Sequence, residues 1–344
     1  MLEQMKNKII RLSTVEKILY LVILPYTCID FCLRSLTNDC RIYIGVEYIA
    51  DHFYPFPQGF DIAWEIKPMA NRIMNWILYK WGDAIAGFNN PVNFGIAVKF
   101  LMLCIILAVS YFFAKRVNIK YGFLLTFFSL AWVGNFCIGQ SEYWAVVFSL
   151  LAIALMLSDS ILQWICAGTL IPIISLFKGI TGLMLIVIVC AVLLLKWGNI
   201  PNWKQWLAGT TGIAICGALW LVTCFTIWPH QISDILMSPH LARVGEYPLF
   251  DYFMSLFGYV ISTMIYIPLF IVAILAAVVY LIYSGKFGGW YTAAFVAMWA
   301  TTFVIVLCQG EFFIYQYYCM TVPALITIIL WERIPKRVKK ADKT

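Results

Sequence analysis

VNFGIAVKFLMLCIILAVSYFFAKRVNIK, residues 92–120, decides the class of this protein. Residues 92–114 form one apolar stretch with a single charge, Lys99, and Lys115, Arg116 and Lys120 follow it at once. A helix needs about 20 mostly apolar residues to cross a bilayer, and Lys and Arg collect on the cytoplasmic side of such crossings. The stretch therefore reads as a membrane span whose C-terminal end faces the cytoplasm.

Moving outward, the same pattern recurs along the chain. Apolar runs predict spans near 17–37, 121–138, 143–158, 161–177, 180–195, 205–226, 262–283, 290–308 and 312–331 besides 92–114. The composition agrees, at 63% hydrophobic and 12% charged residues with a mean hydropathy of +0.86, whereas soluble domains carry about 25% charged residues. The expected fold is an all-α polytopic membrane protein, a bundle of about ten transmembrane helices forming one domain over residues 1–344. The net charge of +7 comes from Lys and Arg at the chain ends and in short connections, which is a topology signal, so no nucleic-acid partner is expected. The eleven cysteines lie mostly inside apolar runs, without CxxC spacing, and read as small packing residues. The basic N-terminus precedes an apolar segment long enough to span and lacks a small-residue cleavage site, so an uncleaved first helix is expected.

Lys6, Lys8, Arg11 and Lys17 place the N-terminus in the cytoplasm, and alternation puts Lys196, Lys204, Lys286 and the basic C-terminus (Arg333 to Lys340) on the same side. The protein is thus expected in the cell membrane. The first outer loop, 38–91, the turn GQSE at 139–142, the region of Lys178, the second large outer loop, 227–261, and the turn at 309–313 face the opposite side. In the first outer loop, segments near 41–53 and 68–81 carry apolar residues at helical spacing, as amphipathic helices at a membrane interface do. YPFPQG between them is a turn.

Four outer features invite chemistry. Glu47, soon after the first span, is either a general base or a solvated loop acid. WEIKPMANR sets Lys67 before Pro68 and opens a helix whose first turn holds Asn71 and Arg72. Cations and free backbone donors converge there, as at a phosphate site, although basic residues that solvate an interfacial helix would look the same. Glu142 lies at the outer mouth of a span, where capping and function both explain an acid. Lys178, in LFKGITG, either snorkels to the interface or meets a phosphate. Arg243 is a further cation for an acidic group, and Asp61 and Glu65 are further outer acids. The dispersed histidines and acids could build a divalent metal site, but no ligand spacing demands one.

In this order, the features resemble the GT-C glycosyltransferases that use polyprenyl-phosphate sugars, the protein O-mannosyltransferases and lipid A aminoarabinose transferases. The matching pieces are Glu47 with Tyr48, the turn YPFPQG, Lys67-Pro68 with Met69 in place of a second proline, SEYWAVVFSLLAIAL beginning with Glu142, LFKGITGLML with Lys178, and EFFIYQYYCMTVPAL with Tyr317, Tyr318 and Pro323. Gly310 and Glu311 stand where the family usually has a basic residue. The likeness covers roughly the first 200 residues and one late segment.

The resemblance implies a GT-C-like bundle and an active site on the extracytoplasmic face. Glu47 and Glu142 would be catalytic. Lys67 and Lys178 would hold the lipid phosphate, and Tyr48 and Tyr318 would contact the rest of the substrates; beside the residues that carry the resemblance, Arg72 and Arg243 are further candidate phosphate cations and Asp61 and Glu65 further candidate substrate contacts. The partners would be a polyprenyl-phosphate-linked sugar, a glycan, lipid or protein acceptor, and membrane lipids. The competing expectation is a multi-pass transporter or lipid flippase, for which Asp30 and mid-span Lys99 are the best features.

Overall fold

The computed structural model describes residues 13–36, 40–42, 44–45, 47–48, 69–196, 199–229, 275, 277–278, 289–308 and 314–341. Lys67, Asp61, Glu65, Arg243, nearly all of the loop 227–261 and most of the expected span 262–283 lie outside the described residues. Among the described residues the structure is mostly helical and contains no strand.

Helix α1 runs through 14–33 as Thr14–Ile18, a π-helical turn Leu19–Ile23, and Leu24–Leu33. It is followed by α2 (Met69–Ala86), α3 (Pro91–Val117), α4 (Gly122–Phe128), α5 (Ser141–Met156), α6 (Ile161–Phe177), α7 (Met184–Leu195), α8 (Trp203–Thr226), α9 (Gly289–Leu307) and α10 (Thr321–Ala341). Helical residues are also present at 40–42, 44–45 and 47–48, so both amphipathic segments expected in the first outer loop contain helix.

Three helices, α3, α8 and α9, are long and apolar enough to cross a membrane. Most of the other expected spans are shorter pieces. Residues 121–138 divide into α4, a π-helical turn Ser129–Val133 and a 3-10 turn Gly134–Phe136. Helices α5 and α6 have 16 and 17 residues, giving about 24–26 Å at 1.5 Å per residue against a hydrocarbon core of about 30 Å. The last expected span, 312–331, becomes a 3-10 turn Ile314–Met320 followed by α10, which continues to Ala341.

Helix α5 is the centre of the assembly. Thirteen of its residues are buried, including Tyr143, Trp144, Leu150 and Ile153, because α3, α6, α7, α10 and the 3-10 turn 314–320 surround it. A helix apolar on every side belongs in a protein core or in a membrane, and α5 is enclosed by its neighbours. Helix α8 lies at the rim and exposes Leu219, Val222 and Phe225, a surface that fits lipid rather than water. It crosses α6 at Gly168, Gly209 and Gly212. A Cβ on Gly168 would collide with the Gly209 carbonyl oxygen, and one on Gly212 with the Ile165 carbonyl oxygen. Small residues here let two backbones meet directly, as they do between membrane helices.

Polar contacts sort the bundle into two ends. At one end, Ser13 and Glu16 form a capping box, and Glu16 meets Lys120 at 3.0 Å. The side-chain bond from Ser13, then its backbone N–H, then Lys120 bring the Glu16 carboxyl down to about 2. Arg116 donates to Gln163, Lys196 pairs with Asp159 at 2.9 Å, and the Gln205 amide donates to the Ser158 carbonyl. These are the connections expected on the cytoplasmic side. The other end of α3, which with 27 residues is about 40 Å long, lies toward the remaining candidate groups among the described residues.

Candidate functional site

That second end is assembled from breaks in helices. Cys137 donates its backbone N–H to Gly134, and Gly139 adopts φ +84°, a left-handed conformation that glycine accepts without a Cβ clash. The chain thereby turns into α5 with Glu142 in its first turn, where the positive end of the helix dipole favours an acid. Cys40 packs directly on Gly139, which brings the helical segment around 40–48 against the turn leading to Glu142.

Helix α6 ends where Lys178 becomes extended, with φ −165° and ψ 133°, before the 3-10 turn Gly179–Leu183. The Thr181 hydroxyl contacts the carbonyls of Ile174 and Lys178 at 2.5 and 2.6 Å, covering acceptors that the broken helix leaves open. This break aims Lys178 at the head of α5. Its Nζ donates to Glu142 Oε1 at 3.0 Å, with Glu142 fully covered and the Lys178 side chain 16% exposed.

The second pair crosses the first outer loop. Arg72 Nε donates to Glu47 Oε1 at 3.0 Å and Nη2 to Oε2 at 3.4 Å, and both side chains are buried. Burial pushes the Glu47 carboxyl above the ordinary carboxylate range, and the Arg72 charge and hydrogen bonds offset only part of that rise. Tyr48 stacks on Phe88 at 4.2 Å and meets the edge of Tyr79 at 5.7 Å, so aromatic packing seats the Glu47 segment on α2 and on the turn before α3.

The structure therefore couples the sequence-predicted residues in twos: Glu47 with Arg72, and Glu142 with Lys178. The elements that carry them are neighbours, since the 40–48 segment touches the Gly139 turn and α2 packs on α6. Tyr318 is wholly buried. Its ring stacks on Tyr143 at 5.6 Å and its hydroxyl donates to the Ser129 carbonyl at 3.0 Å, so it braces the head of α5. Gly134 leaves room for both rings.

Three groups were missed or read differently from sequence. Asn71 is fully buried, and neither its amide oxygen nor its nitrogen has a hydrogen-bond partner among the described residues; the Asn75 oxygen, one turn on, is in the same state. Buried amides without partners are uncommon and call for a ligand or water. The spacing of Asn71 and Asn75 at i and i+4 was the available signal. Lys99, fully buried, donates to Asn135 Oδ1 at 2.6 Å and lies 4.7 Å from the Phe31 ring, so its charge is held by a neutral amide and a π face. Among the described residues no group of His, Cys, Asp and Glu has the arrangement of a metal site.

Comparisons with protein-family models, with curated proteins and with solved structures each return no significant match.

Proposed function

We propose that the chain is an integral membrane glycosyltransferase that moves a sugar from a polyprenyl-phosphate donor to an acceptor hydroxyl, with its site at the extracytoplasmic end of a polytopic bundle. The observation that carries this reading is the pairing of two buried carboxylates, Glu47 and Glu142, with Arg72 and Lys178 at one end of an apolar helix assembly. The order of motifs shared with the GT-C enzymes supports the same reading. The placement of Glu16, Arg116, Lys120 and Lys196 at the opposite end is in keeping with a cytoplasmic N-terminus.

Phosphate leaves readily once its charge is neutralised, so such a site depends on cations. In the proposed reaction Glu47 accepts the proton of the acceptor hydroxyl. The acceptor oxygen attacks the anomeric carbon, the bond from that carbon to the phosphate oxygen breaks, and its electron pair leaves on polyprenyl phosphate. A single displacement of this kind inverts the anomeric configuration. Arg72 holds the Glu47 carboxylate by two nitrogens, which fixes its direction. Lys178 is released from Glu142 toward the incoming phosphate, assisted by Lys67 and Arg243. Glu142 and the amides of Asn71 and Asn75 then bind sugar or acceptor hydroxyls, and Tyr48, Asp61 and Glu65 complete the contacts around them.

A transfer assay in liposomes with a polyprenyl-phosphate sugar tests this reading. Glu47→Gln and Lys178→Ala are each expected to abolish most transfer. Undiminished transfer in both variants removes the assigned roles, and movement of the donor lipid across the bilayer without transfer favours the flippase reading instead.

A further inference from the structure

A cavity of about 670 Å3 opens between the end of α1 and the start of α3. Its volume falls in the range of about 300–1,000 Å3 typical of ligand sites. Among the described residues, two guanidinium groups, Arg34 and Arg41, line it and no carboxylate does; most of the remaining described wall is apolar, including Ile44, Val92 and Phe94. Arg34 spends its Nε on Asp30 at 2.7 Å, so one of the two charges is already balanced. Arg41 is exposed, and none of the described residues that line the cavity with it is an acid. The N-terminal end of α3, with Pro91 at its first position, adds the positive end of a helix dipole. Leu33 and Val92 are exposed apolar residues at the same opening.

Cations at the head of an apolar cleft match a molecule with an anionic head and a hydrocarbon tail. A guanidinium fork is suited to phosphate oxygens in particular. We propose that this cavity binds the phosphate headgroup of a lipid, with Arg41 and Arg34 on the phosphate and the walls formed by Ile44, Val92 and Phe94 against the first part of the tail. Ile44 lies three residues before Glu47 and both are helical, so an occupied cavity lies close in the chain to the proposed base. The inference rests on the membrane reading, which puts this end of α1 and α3 at the interface, and does not depend on the transfer reaction.

The test is lipid titration of the purified full chain in detergent, read by native mass spectrometry, with phosphatidylglycerol, a polyprenyl phosphate and inorganic phosphate as separate probes. Arg41→Gln is expected to weaken lipid binding about tenfold, the loss of one charge-assisted contact. Val92→Trp keeps both charges and fills the mouth, and the same loss is expected from it. Lys204→Gln, at the opposite end of the bundle, is expected to change nothing. A loss confined to phosphatidylglycerol identifies membrane phospholipid as the occupant, and a loss confined to polyprenyl phosphate identifies the donor lipid. Equal affinities in wild type, Arg41→Gln and Val92→Trp overturn the site, as does inorganic phosphate binding as tightly as either lipid. Because binding is read without catalysis, a negative result here leaves the transfer assay on Glu47→Gln unaffected.

Discussion

Glu47 combines the two properties a general base needs, an ionisable group and a fixed direction, and its environment makes its titration visible. Its folded-state carboxyl is raised, mainly by burial. A base acts only when ionised, so the acid limb of transfer activity should fall at a pH above the ordinary carboxylate value of 4.5, and Glu47→Gln should remove the activity whose profile shows it. The loss expected for a positioned base is about 10²–10⁴-fold. For stability the sign is opposite to that of a stabilised carboxylate: the folded state holds its proton more tightly, so stability declines as pH rises from 4.5 through the raised value. The Glu142 and Lys178 pair yields to a double-mutant cycle. Either Glu142→Gln or Lys178→Met alone leaves a charge in a covered place at a cost of roughly 3 kcal/mol, and the double variant should be less destabilised than the sum of the two in denaturant melts. The candidacy of Glu47, Arg72, Glu142 and Lys178 was legible in the sequence as polar residues interrupting apolar runs. Their pairing was not, because 25 residues separate the first pair and 36 the second, and only the packing of their elements brings them into contact.

At the scale of the element, the periods of the apolar runs located most helices but not their breaks. Residues 121–138 read as one span, yet the π-helical turn Ser129–Val133 and the 3-10 turn Gly134–Phe136 interrupt it. The Ser129 carbonyl accepts from the distant Tyr318, and Gly134 admits that ring and Tyr143. Such departures from the α-helix depend on partners far along the chain, and local hydropathy does not contain them. The crossing of α6 and α8 depends equally on absent side chains. Gly168→Leu should force the helices apart and destabilise the protein by more than about 3 kcal/mol, since it places a side chain against backbone rather than against a movable one; the readout is thermal unfolding in detergent, with Gly217→Leu as the control because its Cβ meets nothing. Helix α1 begins with the Ser13 and Glu16 capping box. Because its Glu16 carboxyl is lowered to about 2, that support is fully present above the ordinary carboxylate pH and is lost as pH falls through about 2.

At the scale of the whole molecule, the two ends of the bundle differ in kind. Lys120 meets Glu16 at one end, whereas Glu47, Arg72, Glu142 and Lys178 lie at the other. Cysteines placed at Asp83 and at Lys120 in a variant freed of reactive thiols should therefore react with a membrane-impermeant reagent from opposite sides of an intact membrane; labelling of both from one side would overturn the topology. The amino-acid sequence by itself determined an apolar, helical chain with basic connections and a short roster of polar residues, because hydropathy and charge are properties of each residue and its near neighbours. Only the tertiary structure decided that, among the described residues, three helices, α3, α8 and α9, are long enough to cross on their own, that Glu47 and Glu142 are held in pairs with cations, that the Asn71 amide and the Asn75 amide oxygen are buried without a hydrogen-bond partner there, and that Arg34 and Arg41 share a cavity. These are relations between segments distant in the chain, and burial, which gives a charge or an amide its chemical force, exists only once those segments have packed.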